Sequence, residues 1–161
     1  MSEPLPPVAP PDLVAAERMW AEYAAAHPEA LVAGDEYVVE GFGDSAPLAD
    51  ALLDLVLHGP KRATAALSIE YEEEGEQLPR IGGHWIACDG SGAPRAILRT
   101  TELRLGDFDS VDEAFARDEG ENERTRAAAG SAFDPSDEIV FERFSVVWPP
   151  RHADVAPGQG A

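Results

Sequence analysis

A helix with a defined start and a defined stop, just before Lys61, is the feature that most constrains how this chain folds. Asp44 or Ser45 can cap its first turn, which also carries a proline, a residue that suits that position. Apolar residues then recur with the helical period and predict one buried face: Leu48, Leu52, Leu55 and Val56. Gly59 fits the left-handed position that follows a helix, and Pro60 prevents any continuation. The sequence therefore predicts a sharp break in the chain immediately before Lys61.

The rest of the chain adds two helices and several strands. Asp12 is a good N-cap for a first helix that runs to Ala26, and Ser110 can cap a third helix over 110–118. The runs with strand character are 36–42, the stretch from the helix end to Ile69, 84–88, 94–105 and 138–148. Helices and strands mixed in this order on one short chain indicate the α+β class.

Length and proline distribution define one domain. The chain has 161 residues, of which 44% are hydrophobic, and this is enough to bury a core. Prolines crowd both ends, so we expect a Pro-rich disordered N-terminus over 1–10 and a flexible tail over 149–161. The folded domain, including the N-terminal helix, is then predicted over 11–148.

Charge excludes several classes of partner. The chain carries 31 acidic residues against 12 lysines and arginines, a formal net charge of −19. Extended contact with nucleic-acid phosphates requires many cations, so we expect no DNA partner, although a small basic pocket is compatible with an acidic surface. No apolar run reaches the roughly 18–20 residues of a membrane span, and the N-terminus lacks the features of a secretory signal. The single cysteine, Cys88, forms no internal disulfide, so a cytoplasmic location is expected.

Lys61 and Thr64 are the first candidates for chemistry. They lie three residues apart at the joint after the helix, where strand alternation alone places them on different faces. A turn over 61–63 would instead fold the amine over the hydroxyl, and a neutral lysine amine can act as the base that turns this hydroxyl into a nucleophile. In the alternative interpretation, the lysine complements the helix dipole and the threonine opens a strand. Spacing alone favours this structural alternative.

Two arginines and two groups of acids are further candidates. Arg95 and Arg99 share one face of a predicted strand, where two guanidinium groups can bind an anion or pair with surface acids. Five glutamates within 70–76 repel one another and predict a solvated loop or a frayed helix that is placed to act as a lid. The acids within 118–123 follow a predicted helix end, where they oppose the helix dipole and suggest a partner cation or a general base; the alternative is a solvated loop.

The sequence predicts neither a metal site nor a bound cofactor. The four histidines share no ligand spacing with Cys88. The chain contains no Walker-type phosphate loop, no dinucleotide-binding fingerprint and no nucleophile elbow.

An ordered set of short segments resembles the ASCH-domain family over about residues 40–148. The set is Phe42-Gly43-Asp44-Ser45, the helix Leu48–Leu57, Gly59-Pro60-Lys61-Arg62-Ala63-Thr64, Leu78-Pro79-Arg80-Ile81-Gly82, Asp89-Gly90, Arg99-Thr100-Thr101-Glu102, Phe115-Ala116, Glu119-Gly120-Glu121 and Val140-Phe141-Glu142-Arg143-Phe144. The resemblance implies a PUA-like fold, which is a small, mostly antiparallel β-barrel with flanking helices. It also implies a role in RNA or nucleoside metabolism, although fold alone does not determine function.

The resemblance also implies a set of catalytic residues. Some small members of the family are amidohydrolases that remove the acetyl group from N4-acetylcytidine with a lysine, a threonine and a glutamate. By position these fall on Lys61, Thr64 and Glu119, with Glu121 as the alternative acid. Another member is a ribonuclease. Larger members carry an aromatic stretch where residues 122–136 of this chain are Ala/Arg-rich, so one pocket wall is expected to be missing or to come from the N-terminal helix.

Three hypotheses about function follow from the resemblance. In the first, an enzyme hydrolyses an amide on a modified nucleoside: Thr64 attacks the acyl carbon, Lys61 takes the hydroxyl proton and Glu119 moves a proton to the leaving amine. The residues predicted to bind the substrate are Arg62, Tyr71, Arg99 and Glu121. In the second, a non-catalytic RNA-binding module, or a ribonuclease, uses the same cleft on short RNA. In the third, the fold serves a small molecule or a protein partner without activity. A monomer or a weak dimer is expected in each case.

Overall fold

The computed structural model describes residues 6–31, 36–42, 45–73, 75, 78–106 and 138–154. Its helices and strands are α1 (Leu13–Ala26), a short 3-10 helix (Pro28–Leu31), β1 (Tyr37–Gly41), α2 (Ala46–His58), β2 (Ala63–Leu67), α3 (Ser68–Glu73), β3 (His84–Cys88), β4 (Pro94–Gly106) and β5 (Ile139–Trp148). These bounds confirm the first two predicted helices and the five predicted strands to within a few residues. The helix predicted over 110–118 lies outside the described residues.

Local chemistry explains where the two long helices begin and end. Asp12 caps α1 by accepting a hydrogen bond from the Ala15 N–H at 3.0 Å, and Ser45 caps α2 by accepting one from the Leu48 N–H at 3.3 Å. The left-handed conformation predicted for Gly59 is wrong, because its φ is −136° and its ψ is −165°. The cause is the proline that follows, since a residue before proline is restricted to extended conformations.

The strand after the joint is shorter than predicted. It ends at Leu67, and α3 begins at Ser68, so Ile69 lies on a helix with 47% of its surface exposed. The glutamates that follow are good helix formers, which favours a helical turn over a longer strand. Of the two alternatives for the acidic stretch, helix is therefore the one observed as far as Glu73.

Five strands form one curled half-barrel sheet in the order β1-β3-β4-β5-β2. β1 pairs with β3 in parallel, and the other three pairs are antiparallel. The ladder between β4 and β5 is irregular at Ile97/Leu98 and again at Thr100/Glu102. Such bulges increase the local twist and help the sheet to curl. The predicted α+β class is confirmed.

The sheet separates two apolar clusters, which define its α2 face and its α1 face. Under α2 lie Phe42, Leu52, Leu53, Val56, Ala87, Ala96, Leu98, Phe144 and Val146. Under α1 lie Ala16, Trp20, Tyr23, Ala30, Ile86 and Ile97. Successive residues of β4 alternate between the clusters, since Ile97 belongs to the α1 face and Leu98 to the α2 face.

The described parts of both termini lie against the domain. The Ala9 N–H donates to the Gly90 carbonyl oxygen at 3.1 Å, and the Asp154 N–H donates to the Val146 carbonyl oxygen at 2.8 Å. The second contact occupies the part of β5 that β2 does not pair with. Residues 6–10 and 149–154 thus contain defined backbone contacts, within segments whose composition predicts disorder. Within the described ranges, the helices are too short or too polar to span a membrane.

Candidate functional site

The joint between α2 and β2 sets the position of Lys61. A Cβ atom on Gly59 would lie 2.9 Å from the Leu55 carbonyl oxygen, so the chain can pass this close to the helix only with glycine. The same oxygen accepts a hydrogen bond from the Lys61 N–H at 3.1 Å. The Gly-Pro break therefore turns the chain sharply and ties the backbone of Lys61 to the last turns of α2.

The side chain of Lys61 is completely buried, with 0% of the residue exposed. Its Nζ donates to the Ala63 carbonyl oxygen at 2.8 Å, and that oxygen belongs to the peptide bond leading into Thr64. The amine also lies 5.8 Å from the centroid of the Phe42 ring, within the range of a cation–π contact. The side chain thus folds back along its own segment as far as the peptide bond between Ala63 and Thr64, and the approach of the amine to the Thr64 hydroxyl stays a prediction.

An aromatic wall stands beside this amine on the α2 face. The rings of Phe42 and Trp85 are 4.5 Å apart between centroids, and those of Trp85 and Phe144 are 6.2 Å apart. The indole N–H of Trp85 donates to the Glu40 carbonyl oxygen at 2.9 Å, which fixes the ring. These residues come from β3, β5 and the end of β1. The N-terminal helix, the predicted substitute for the pocket wall that residues 122–136 lack, packs on the opposite face of the sheet.

Thr64 lies in β2 directly opposite Glu142 of β5. Directly opposed residues of an antiparallel pair share one face, with Cβ atoms about 4.5–5.5 Å apart. Alternation along β5 places Glu142 on the same side as Phe144 and Val146, which belong to the α2 face. Thr64 is partly exposed. The threonine therefore shares a face with the aromatic wall that contacts the Lys61 amine.

Glu142 is an acid of this face that was not among the predicted site residues. It is 6% exposed, and it accepts a hydrogen bond from the Thr100 hydroxyl with 2.5 Å between the oxygens. Burial raises the pKa of its carboxyl, and the hydrogen bond from Thr100 opposes part of that rise. The sequence does carry a signal, because Val140 and Phe144 flank this acid at the two positions that share its face in a strand.

Arg62 is occupied by a clamp that involves the C-terminal segment. Its Nε and Nη2 each donate to the Asp154 carboxylate at 2.9 Å, and its Nη1 donates to the carbonyl oxygens of Val56 at 2.9 Å and Lys61 at 2.7 Å. Asp154 also accepts a hydrogen bond from the Val146 N–H at 2.9 Å. The clamp joins the end of α2, the joint and the segment after β5, so these contacts are structural contacts.

Arg99 lies on the other side of the sheet. It is opposite His84 in the register of β3 and β4, and the His84 ring contacts Trp20 of α1 with 5.0 Å between centroids. The structure therefore places the Lys61 amine on the peptide bond that leads into Thr64 and places Arg99 on the opposite face of the sheet.

Three predicted site residues remain. Tyr71 lies in α3, where it is partly exposed. Glu119 and Glu121 lie outside the described residues, so their roles stay predictions. In the described ranges, no group of three or more His, Cys, Asp and Glu side chains is arranged to hold a metal ion.

Comparisons with known proteins identify the family and the fold of this chain. The family model of the ASCH domain matches residues 38–148. A solved ASCH domain from Lactobacillus crispatus has a TM-score of 0.73 and 24% identity, over 84% of this chain and 95% of that chain. A solved protein from Enterococcus faecalis has a TM-score of 0.69 and 31% identity, over 84% of this chain and 89% of that chain. No curated protein matches. These similarities confirm the predicted family and the PUA-like fold.

Proposed function

Since this chain belongs to the ASCH-domain family, we propose that it is an amidohydrolase that removes an acyl group from a modified nucleoside such as N4-acetylcytidine. The observation that carries the proposal is the complete burial of Lys61, with its amine folded onto the peptide bond that leads into Thr64. Lysine is almost never fully buried unless its amine is paired. An amine that is held out of water, within one peptide bond of a threonine, suits a base that activates the threonine hydroxyl.

The same observation weighs against a module that binds RNA through its phosphates. A lysine with 0% exposure does not reach a backbone phosphate. Arg62 is bound to Asp154, and Arg99 lies on the α1 face. In the described part of the chain these cations form no common basic surface. With a net charge of −19, a small neutral nucleoside is the better partner.

The proposed reaction has two steps. The Thr64 hydroxyl oxygen attacks the acyl carbon while its proton passes to the Lys61 amine. The carbon–nitrogen bond then breaks, and the nucleoside amine leaves with a proton from the lysine ammonium or, by family resemblance, from Glu119. This leaves an ester on Thr64. Water hydrolyses that ester, which releases the carboxylic acid and restores the hydroxyl, so one water is consumed for each amide cleaved.

Substrate approaches this site from the side of Thr64, because Thr64 is partly exposed and Lys61 is not. The ring of Trp85 is also partly exposed and is fixed by its hydrogen bond to Glu40, so it offers a rigid face on which a pyrimidine can stack. Glu142 lies opposite Thr64 in the ladder, and in this proposal its carboxylate orients the Thr64 hydroxyl.

Hydrolysis of N4-acetylcytidine by the full chain tests the proposal. Thr64→Val removes the hydroxyl and keeps the branched shape, Thr64→Ser keeps a hydroxyl, and Lys61→Met keeps the length of the side chain without the amine. Ser68→Ala is the matched control, because it removes a hydroxyl just beyond the same strand. We expect Thr64→Val and Lys61→Met to lower kcat by about 10²–10⁴-fold, which is the usual contribution of a nucleophile or base.

Equal activity in the wild type, Thr64→Val and Lys61→Met would contradict the mechanism. A gel shift with short RNA at two salt concentrations addresses the alternative. Strongly salt-dependent binding without any hydrolysis would indicate an RNA-binding module instead of an enzyme.

A further inference from the structure

A cleft lies along β4 and β5, between the loop at Gly82 and Asp154 of the C-terminal segment. Its volume is about 430 Å³, and Arg99 lines it together with Gly82 and three hydroxyl residues, Thr100, Thr101 and Ser145. Pockets for small molecules usually measure roughly 300–1,000 Å³. The cleft is therefore large enough for a small ligand, and its lining includes neither Lys61 nor Thr64 nor the three rings of the aromatic wall.

The guanidinium that lines this cleft has no carboxylate partner among the described residues. Arg99 is partly buried, and it makes no hydrogen bond or ion pair with the described residues. Four other arginines each pair with a carboxylate: Arg62, Arg80, Arg95 and Arg143. Arg18 and Arg151 are exposed to solvent, whereas Arg99 is partly buried beside the cleft. Burying a charge without a partner costs free energy, so the cleft favours a ligand of opposite charge.

We propose that the Arg99 cleft binds an oxyanion, either a phosphate monoester or a carboxylate. The guanidinium can present two parallel N–H donors to two oxygens of such a group. The hydroxyls of Thr101 and Ser145 supply further donors along the same lining. The loop at Gly82 passes close to the guanidinium, since a Cβ atom there would lie 3.8 Å from the Arg99 Nη2. The ligand would thus be held between the strand and this loop.

One carboxylate also lines the cleft, but its charge is already compensated. Asp154 accepts two hydrogen bonds of 2.9 Å from Arg62 and another of 2.9 Å from the Val146 N–H. The Asp154 oxygens are therefore engaged with these donors, whereas the N–H donors of Arg99 remain available to a ligand. The site does not depend on the amidohydrolase proposal, because Arg99 and Thr64 lie on opposite faces of the sheet.

His84, on the α1 face with Arg99, can report the binding of an anion. Its Nε2 lies 3.1 Å from the Tyr23 hydroxyl. Burial and, to a smaller extent, the charge of Arg99 lower the pKa of His84 to about 4. The same charge opposes the rise that burial causes in the pKa of Tyr23. An anion bound to Arg99 would offset that charge, so the imidazole resonances of His84 should move when the cleft fills.

An NMR titration of the full chain tests the proposal. The probes are inorganic phosphate, cytidine 5′-monophosphate, cytidine and acetate, read through the His84 imidazole signals at fixed pH. Arg99→Gln removes the proposed ligand, and Arg95→Gln is the matched control, since it removes a charge from the same strand where Arg95 is paired with Asp89. We expect saturable shifts in the wild type and in Arg95→Gln, and an affinity at least about tenfold lower in Arg99→Gln.

The titrations with different probes also distinguish a phosphate ligand from a carboxylate ligand. Binding of phosphate or the monophosphate without acetate identifies a phosphate site, and the reverse identifies a carboxylate site. The proposal is wrong if neither anion moves His84, if Arg99→Gln responds like the wild type, or if cytidine alone gives the shifts of its monophosphate. Circular dichroism verifies the fold of Arg99→Gln. Should that variant be unfolded, Ser145→Ala replaces it, with a smaller loss of affinity expected and an unchanged affinity counting against the site.

Discussion

The hydrogen bond between Thr100 and Glu142 determines what the buried carboxyl contributes to stability. The two residues are 5% and 6% exposed, and their oxygens are 2.5 Å apart. Thr100→Val removes the hydroxyl at nearly constant shape, so the carboxylate loses a donor without a large cavity. A hydrogen bond to a charged group contributes about 1.5–3 kcal/mol. We expect the free energy of unfolding to fall by that amount when the carboxyl is ionised.

The pH dependence of this loss has a definite sign. Because burial raises the pKa of Glu142 above its unfolded value, the folded state holds the proton more tightly. The resulting stabilisation is fully present below the unfolded pKa and disappears as the pH rises through the folded pKa. The Thr100 hydrogen bond favours the ionised form and limits that loss, so Thr100→Val should raise the pKa of Glu142 further. Its destabilisation should grow toward high pH, by about 1.4 kcal/mol for each pH unit by which the pKa rises.

Urea denaturation between about pH 4 and pH 8 measures this effect. The set is the wild type, Thr100→Val, Glu142→Gln and the double variant, because a double-mutant cycle isolates the pairwise coupling energy. The reasoning is refuted if Thr100→Val unfolds with the wild-type free energy throughout this range. It is equally refuted if the loss is larger in acid than at neutral pH.

Three further substitutions test the contacts that hold the joint and the termini. Gly59→Ala places a Cβ atom 2.9 Å from a carbonyl oxygen of α2. We expect the free energy of unfolding, measured by urea denaturation, to fall by about 1–3 kcal/mol. An unchanged midpoint would contradict this close approach. Gly92 has a φ of +86°, and a Cβ atom there would overlap the Pro10 carbonyl oxygen. Gly92→Ala should therefore lower the free energy of unfolding by at least about 1–2 kcal/mol. A melting temperature equal to that of the wild type would exclude the contact. Asp154→Asn weakens a partly exposed ion pair with Arg62, so the free energy of unfolding should fall by about 1 kcal/mol or less. This loss should be smaller in high salt than in low salt. An equal loss at low and high salt would argue against an ionic clamp.

Local signals in the sequence account for most of the secondary structure. Caps at Asp12 and Ser45 predict the starts of both long helices, because each side-chain oxygen satisfies a free N–H of the first turn. The conformation of Gly59 is predicted wrongly, since the usual left-handed helix end gives way to the steric demand of the following proline. Both outcomes depend on neighbours within a few residues.

The sequence predicts only those contacts of the candidate site that join residues close together in the chain. The turn that folds Lys61 toward Thr64 involves adjacent residues, and the motif indicates it. The pairing of Thr64 with Glu142 depends on the register between two strands that lie far apart in the chain, and no local pattern specifies that register. The predicted acid Glu119 lies outside the described residues and stays a prediction.

One strand, β4, supplies a residue of interest to each face of the sheet. Thr100 holds Glu142 on the α2 face, while Arg99, one position earlier, lies on the α1 face and lines the cleft along β4 and β5. Because side chains alternate along a strand, a slip of one residue in β4 would exchange the two and place a guanidinium beneath α2. The bulge at Thr100/Glu102 comes after Arg99 and Thr100, so these two residues keep their opposite faces. The two sites should therefore respond independently: Thr64→Val should leave the phosphate titration of His84 as it is in the wild type, and a shifted titration would mean that β4 couples the faces.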